Sequence, residues 1–186
     1  MTNKRNFALV TGFITLAVLS RVLPHPYNFT PLGAIALFGA AYFKKWHWAI
    51  VIPLVAMWLS DLVINNVLFA RFFDGFTLFH SGVFWIYGSL VLIALLGRKT
   101  LTTITPLRVA GSAIGASMIF FLLSNFGVWA SGMMYPLSVE GLIACYTAGL
   151  PFFHYTLAGD LLYSTALFGG FEYIQSRHGE RQFQEI

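Results

Sequence analysis

The sequence predicts an all-α membrane protein, one domain over residues 1–186, with six transmembrane helices and a short helical cap on the outer side before the last of them. Three observations carry this prediction. Of the 186 residues, 58% are hydrophobic and 10% charged, against roughly 25% charged residues in an ordinary soluble domain. The apolar residues fall into runs broken by proline, glycine or charge, and at about 20 apolar residues per crossing the length accommodates six spans with short loops and no soluble catalytic domain. The basic residues, finally, are one-sided once those spans are drawn. The net charge of +4 does not point to a nucleic-acid partner, because the basic residues stand in ones and twos between apolar runs rather than on one face. The single cysteine, Cys145, forms neither an internal disulfide nor a multi-cysteine metal site.

The first span is expected at Phe7–Leu23. Lys4 and Arg5 before it resemble the start of a signal peptide, but Thr15 to Leu23 contains no small-x-small cleavage site, so the segment reads as a retained helix. The second, Pro31–Phe43, is short, and apolar runs of 10–14 residues are often re-entrant. Thr30-Pro31 nevertheless forms a good N-cap and first-turn pair, and Lys44 and Lys45 can snorkel to an interface, so it is expected to cross. Spans three, four and five follow at Trp48–Phe69, Ser81–Leu96 and Val109–Ser131. Between Gly132 and Pro151 a helix at about Ser138–Ala148 is too short, and too polar at Glu140, to cross. It is expected to lie over the bundle as a cap before the sixth span, Phe152–Ile174.

Six crossings place both termini on one side. Lys4, Arg5, Lys44, Lys45, Arg98, Lys99, Arg108, Arg177 and Arg181 then share the face of the termini, leaving only Arg21 and Arg71 of the 11 basic residues on the other. By the positive-inside rule both termini are expected in the cytoplasm. Omitting the short second span would divide the basic residues almost evenly, so the charge pattern supports six.

Polar side chains inside hydrocarbon are costly and are functional candidates by default. Asp61, Asn65, Asn66, Asn125, His154 and Asp160 all lie in the outer parts of their spans. Arg21, His25, Asn28, Arg71, Asp74 and His80 lie in outer connections. This one-sided polarity describes a cup open to the outside and sealed inside. Each residue also has a structural reading. Asp61 can pair with Arg21 as helix glue, and His25 can simply shape the Pro24-His25-Pro26 turn. His80 can be interfacial, Asn125 and Asp160 can serve helix packing beside Gly127 and Gly159, and Trp129 and Tyr146 can be interfacial aromatics. Cys145 reads more readily as a small packing residue than as a nucleophile.

The string Arg21-Val-Leu-Pro-His-Pro-Tyr-Asn-Phe-Thr-Pro-Leu-Gly-Ala34, with Ser60-Asp61, Ser124-Asn-Phe-Gly-Val-Trp129, Cys145-Tyr146 and Pro151-Phe-Phe-His-Tyr-Thr-Leu-Ala-Gly-Asp160, resembles a family of bacterial inner-membrane proteins. Their expected architecture is that of the substrate-binding S-components of energy-coupling-factor vitamin transporters. The resemblance implies an uptake protein that captures a small vitamin-like molecule from the periplasmic side, with Arg21, His25, Asn28, Asp61, His80, Asn125, Trp129, Tyr146, His154 and Asp160 lining its pocket. Since the chain has no P-loop of its own, passage inward then requires either tilting of the bundle alone or an energy-coupling membrane subunit with ATPases as partner. The nearest functional analogy is to BtuM-type cobalamin transporters, which use an outer cysteine as axial cobalt ligand. Here the only cysteine lies in the outer cap, while His25 and His80 occupy earlier outer connections, and imidazole is a competent cobalt ligand. A corrinoid such as cobalamin is therefore an expected substrate, with no intrinsic cofactor. Three other readings stand beside this one: an intramembrane enzyme acting on a corrinoid or lipid through His80, His154 or Cys145, a proton-coupled carrier with Asp61 and Asp160 as relay, and a purely structural role in a larger membrane complex.

Overall fold

The computed structural model describes residues 2–177, so the predicted topology signal at Arg181 lies outside the described residues. Regular structure within them is helical: α1 (Thr2–Leu19), α2 (Leu32–Tyr42), α3 (Trp46–Val63), α4 (Val83–Thr100), α5 (Pro106–Ala130) and α6 (Val139–Arg177). A π-helical turn, Ile64–Leu68, continues α3, and 3-10 turns occupy Ser20–Val22 and Ala70–Phe72. Lys4–Val22, Trp46–Leu68, Val83–Thr100 and Pro106–Ala130 are each long and apolar enough to cross a membrane. The predicted spans one, three, four and five coincide closely with these.

α2 differs from expectation. Its 11 residues reach about 16 Å at 1.5 Å per residue, about half of a 30 Å hydrocarbon layer. Every residue from Leu32 to Ala41 is buried, and α2 touches all five other helices. Small residues permit this central position. A Cβ on Gly39 would come within 3.0 Å of Pro53, and Gly97 of α4 packs against Leu37 and Ala40.

The contacts also fix its depth. Leu37 and Ala40 lie against the C-terminal end of α4, whereas Ala34 is level with Ser117, near the midpoint of α5. α2 thus fills one half of the bundle, and the end of the non-helical segment 23–31 reaches the other half, with Thr30 against Gly159 and Phe29 against Tyr163 of α6, while residues 23–28 are exposed. Pro24, Pro26 and Pro31 bar a helix there by removing donors and restricting the residues before them. Asn28 adopts a left-handed φ of 63°, and the turn closes through Phe29 N–H to the Pro26 carbonyl at 3.1 Å. The predicted second crossing is therefore a half-length helix preceded by irregular chain.

The last helix also corrects the prediction. The expected cap at Ser138–Ala148 and the span after it form one helix of 39 residues, with Pro151 inside it. A proline removes only one intrahelical donor, and the stretch before it is tied to α5. The Tyr146 hydroxyl donates to the Leu122 carbonyl at 2.7 Å, the Cys145 thiol donates to the Asn125 carbonyl at 3.3 Å, and Gly149 packs onto the Asn125 side chain. Rather than lying over the bundle, the segment is the outward extension of α6 along α5. Ser138 caps its start by accepting from Gly141 N–H at 3.2 Å. The Glu140 backbone N–H, and next the Ser138 hydroxyl, hold the Glu140 carboxyl below the usual carboxylate range.

The start of α1, the ends of α2, α4 and α6 and the start of α3 gather at one end, where the Phe7 ring lies 5.3 Å from Phe43 and 5.6 Å from Trp48. Asn6 accepts there from Gln175. We call this the basic end, after Lys44, Lys45, Arg98 and Lys99. The core above it is aromatic. Phe38, 0% exposed, is surrounded by Phe13, Tyr42, Phe168 and Phe171 with ring centroids 4.8–5.9 Å away.

Candidate functional site

The two ends of α2 each meet a side chain whose polarity suits its dipole, a carboxyl at the N-terminus and a guanidinium at the C-terminus. At the N-terminus, Asp160 of α6 accepts from Ala34 N–H at 3.2 Å and from the Ser117 hydroxyl at 2.7 Å. Gly33 is required beside it, because an added Cβ would stand 2.5 Å from both carboxylate oxygens. At the C-terminus, Arg98 of α4 donates to the carbonyls of Ala40 at 3.2 Å, Phe43 at 2.8 Å and Lys44 at 2.9 Å. A helix end buried in protein has no water for its free N–H and C=O groups, and opposite charges at its ends are stabilising. Asp160, 1% exposed, thus acts here as the N-terminal cap of the central helix, the packing role that stood beside its substrate role in the sequence.

A second polar centre lies where α1 ends. The Arg21 guanidinium pairs with the Asp61 carboxylate at 2.8 Å and donates to the Ser60 hydroxyl, which in turn donates to the Met57 carbonyl. Tyr87 of α4 donates to the other Asp61 oxygen at 3.2 Å. α1, α3 and α4 are thereby joined through one carboxylate. The pair is almost closed to solvent, with 11% of the Arg21 side chain and 7% of the Asp61 side chain exposed. Yet the centre is incompletely satisfied. Arg21 Nε is buried without a partner, and so is the amide nitrogen of Asn65, one turn beyond Asp61. Buried polar atoms are nearly always bonded to something, so each of these two donors is open to an acceptor, as Ser164 Oγ and Gln175 Oε1 are unpartnered elsewhere among the described residues.

The remaining predicted site residues divide between seams and the surface. Asn125, Trp129 and Tyr146 belong to the α5–α6 seam: Asn125 donates to the Phe121 carbonyl at 2.8 Å and Trp129 Nε1 to the carbonyls of Pro136 and Ser138. His25 and Asn28 are exposed in the segment before α2, with both imidazole nitrogens of His25 against backbone carbonyls, those of Pro26 at 2.9 Å and Arg21 at 3.2 Å. His80 is half-buried, and its Nδ1 lies 2.7 Å from the Ser81 carbonyl. That contact requires the proton on Nδ1, so in the neutral imidazole the lone pair lies on Nε2. His154 is exposed beside Tyr155, with ring centroids 3.9 Å apart. Cys145 is 2% exposed. Among the described residues, no three His, Cys, Asp or Glu side chains gather as a metal site.

The connection from α3 to α4 is held by one amide. Asn66 donates to the carbonyls of Leu62 and Thr77, both at 2.9 Å, and accepts from Thr77 N–H at 2.6 Å. Trp58 adds a bond to the Leu78 carbonyl at 3.3 Å. The rim around the Arg21–Asp61 centre is therefore built from ordered but non-helical chain on two sides.

Sequence reasoning missed Arg98, Tyr87 and Ser117. Arg98 was assigned only to topology, although Gly97 before it marks a close helix approach. Tyr87 and Ser117 carry no local signal, since tyrosines and serines in apolar helices are common.

The model of a family of unknown function, DUF6580, matches residues 1–183. The chain belongs to that family. No curated protein and no solved structure matches it. Every residue of both polar centres in this DUF6580 member lies within the matched region.

Proposed function

We propose that this DUF6580 member is a membrane uptake protein that captures a small vitamin-like molecule on the side opposite the basic end, in the manner of S-components. The observation that carries this reading is the pair of buried, unpartnered donors, Arg21 Nε and Asn65 Nδ2, beside an ion pair in the half of the bundle that α2 leaves to irregular chain. Irregular backbone at membrane depth is tolerated only where protein buries it or where it lines a cavity, and interrupted helices near the midplane are where transporters place their substrates. The aromatic core and the Arg98 cap occupy the other half. The six-pass arrangement, with α2 and its preceding segment as one pass and α6 as the last, belongs to this reading. So do a bacterial inner-membrane location with both termini in the cytoplasm and an energy-coupling partner with ATPases.

A corrinoid is the substrate class to test first, with His80 Nε2 as axial donor, because its lone pair is free while both His25 nitrogens are engaged. The decisive experiment is an absorbance spectrum and mass spectrum of protein purified in detergent, with Asn65→Leu as comparison. The Asn65 amide nitrogen bonds nothing within the chain, so this variant is expected to fold as the natural chain does and to lose the co-purifying molecule. A natural chain that carries no small molecule and imports none of the vitamins tested overturns the proposal.

A further inference from the structure

At the basic end, away from both polar centres, a shallow, open groove of about 450 Å³ lies between α4 and α5. Lys99 and Arg108 stand on its two sides, both exposed. Arg108 is oriented by donating to the Thr102 hydroxyl at 3.0 Å, and the floor is a hydroxyl pair, Thr100 with Ser112 at 2.6 Å. Gly111 contributes no side chain, and a Cβ there would meet nothing within 4 Å, so the space between the helices is open toward the apolar exterior. That exterior carries Leu107, 84% exposed, and Ile114, 44% exposed. A polar, doubly cationic head thus opens directly onto a hydrocarbon-facing wall.

We propose that this groove binds the headgroup phosphate of an anionic phospholipid, with the acyl chains along the α4–α5 surface. Basic pockets between transmembrane helices suit such headgroups. The Thr100 and Ser112 protons are spent on the Leu96 carbonyl and on each other, but the Thr102 hydroxyl, which accepts from Arg108, keeps its own proton as a donor that a diffuse surface charge does not supply, and the adjoining apolar wall favours a lipid over a free anion. The inference uses the membrane reading of the four long helices but not the uptake reading, and it stands if no vitamin is bound.

The test is native mass spectrometry of the full chain in detergent, titrated with phosphatidylglycerol, phosphatidylcholine or inorganic phosphate. Phosphatidylglycerol is expected to bind saturably and phosphatidylcholine at least tenfold more weakly. Each basic residue near an anionic membrane surface contributes about 1 kcal/mol, so Lys99→Gln and Arg108→Gln should each weaken binding about fivefold and together about thirtyfold. Lys44→Gln with Lys45→Gln, the same charge loss at the same end, should leave it within about twofold, since this pair lies outside the groove. The Lys99 side chain makes no hydrogen bond among the described residues, so its single variant reads binding without a folding effect. Equal loss in the Lys44/Lys45 control, equal binding of phosphatidylcholine, or displacement of phosphatidylglycerol by millimolar inorganic phosphate would each overturn the lipid site, the last by assigning the groove to a soluble anion.

Discussion

Asp160 admits two roles, cap of a buried helix or ligand for a substrate, and a pair of substitutions separates them. Asp160→Ala removes the acceptor of the Ala34 N–H and empties the space against Gly33. Each buried backbone donor left unpaired costs about 1–3 kcal/mol, so the Ala34 and Gly33 N–H groups, both bonded to this carboxyl, amount to about 2–6 kcal/mol. Asp160→Asn has the same shape. Its carbonyl oxygen still accepts from Ala34, and its amide can donate to the Ser117 oxygen, whose own proton turns to the Ala113 carbonyl it already approaches at 3.1 Å. What the amide loses is the interaction of a carboxylate with the helix dipole, at most about 2 kcal/mol in buried geometry. For a chain of this size 1 kcal/mol moves the midpoint of thermal unfolding by about 2–4 °C. Thermal denaturation in detergent, followed by circular dichroism, should therefore show Asp160→Ala about 10 °C below the natural chain and Asp160→Asn no more than about half as far. Equal losses would show that the charge, not the acceptor geometry, is what α2 requires. No loss in the alanine variant, with uptake abolished, would refute the cap and restore Asp160 to the substrate.

The Arg21–Asp61 pair should behave as a buried ion pair. Arg21→Met or Asp61→Leu alone leaves an uncompensated charge and should cost about 3–5 kcal/mol, while the double variant should cost clearly less than the sum; additive unfolding free energies would refute the pairing. Cys145 should resist maleimide labelling in native micelles and label fully on denaturation, because its thiol is 2% exposed and directed at the Asn125 carbonyl. Rapid labelling of the folded chain would instead revive a reactive thiol at the α5–α6 seam.

Much of the site was legible in sequence because membrane-embedded polarity is costly and therefore sparse. Asp61, Asn65 and Asp160 stood out as carboxylates and amides in apolar runs, and Arg21 was named as the possible partner of Asp61. Their division of labour was not legible. Asp160 lies 126 residues from Ala34, and nothing near either residue in the chain records that the start of α2 meets the middle of α6. Asn125, Trp129 and Tyr146 looked like pocket residues by the same criterion, yet their polar atoms are spent on the α5–α6 seam. His154 looked buried because its neighbours are apolar, but helix rotation turns it outward.

By itself, then, the sequence determined the helical class, the four long apolar helices and the gathering of basic residues at one end, since each follows from composition and charge along the chain. Only the tertiary structure decided that Leu32–Tyr42 is a buried half-length helix and that Pro151 does not end α6. An apolar run reads the same whether lipid or protein surrounds it, and a helix end is satisfied by whichever side chain the packing brings. Here those side chains are Asp160 and Arg98, and their arrival from distant helices fixes where the chain is helical at the centre of the bundle and where it is left open.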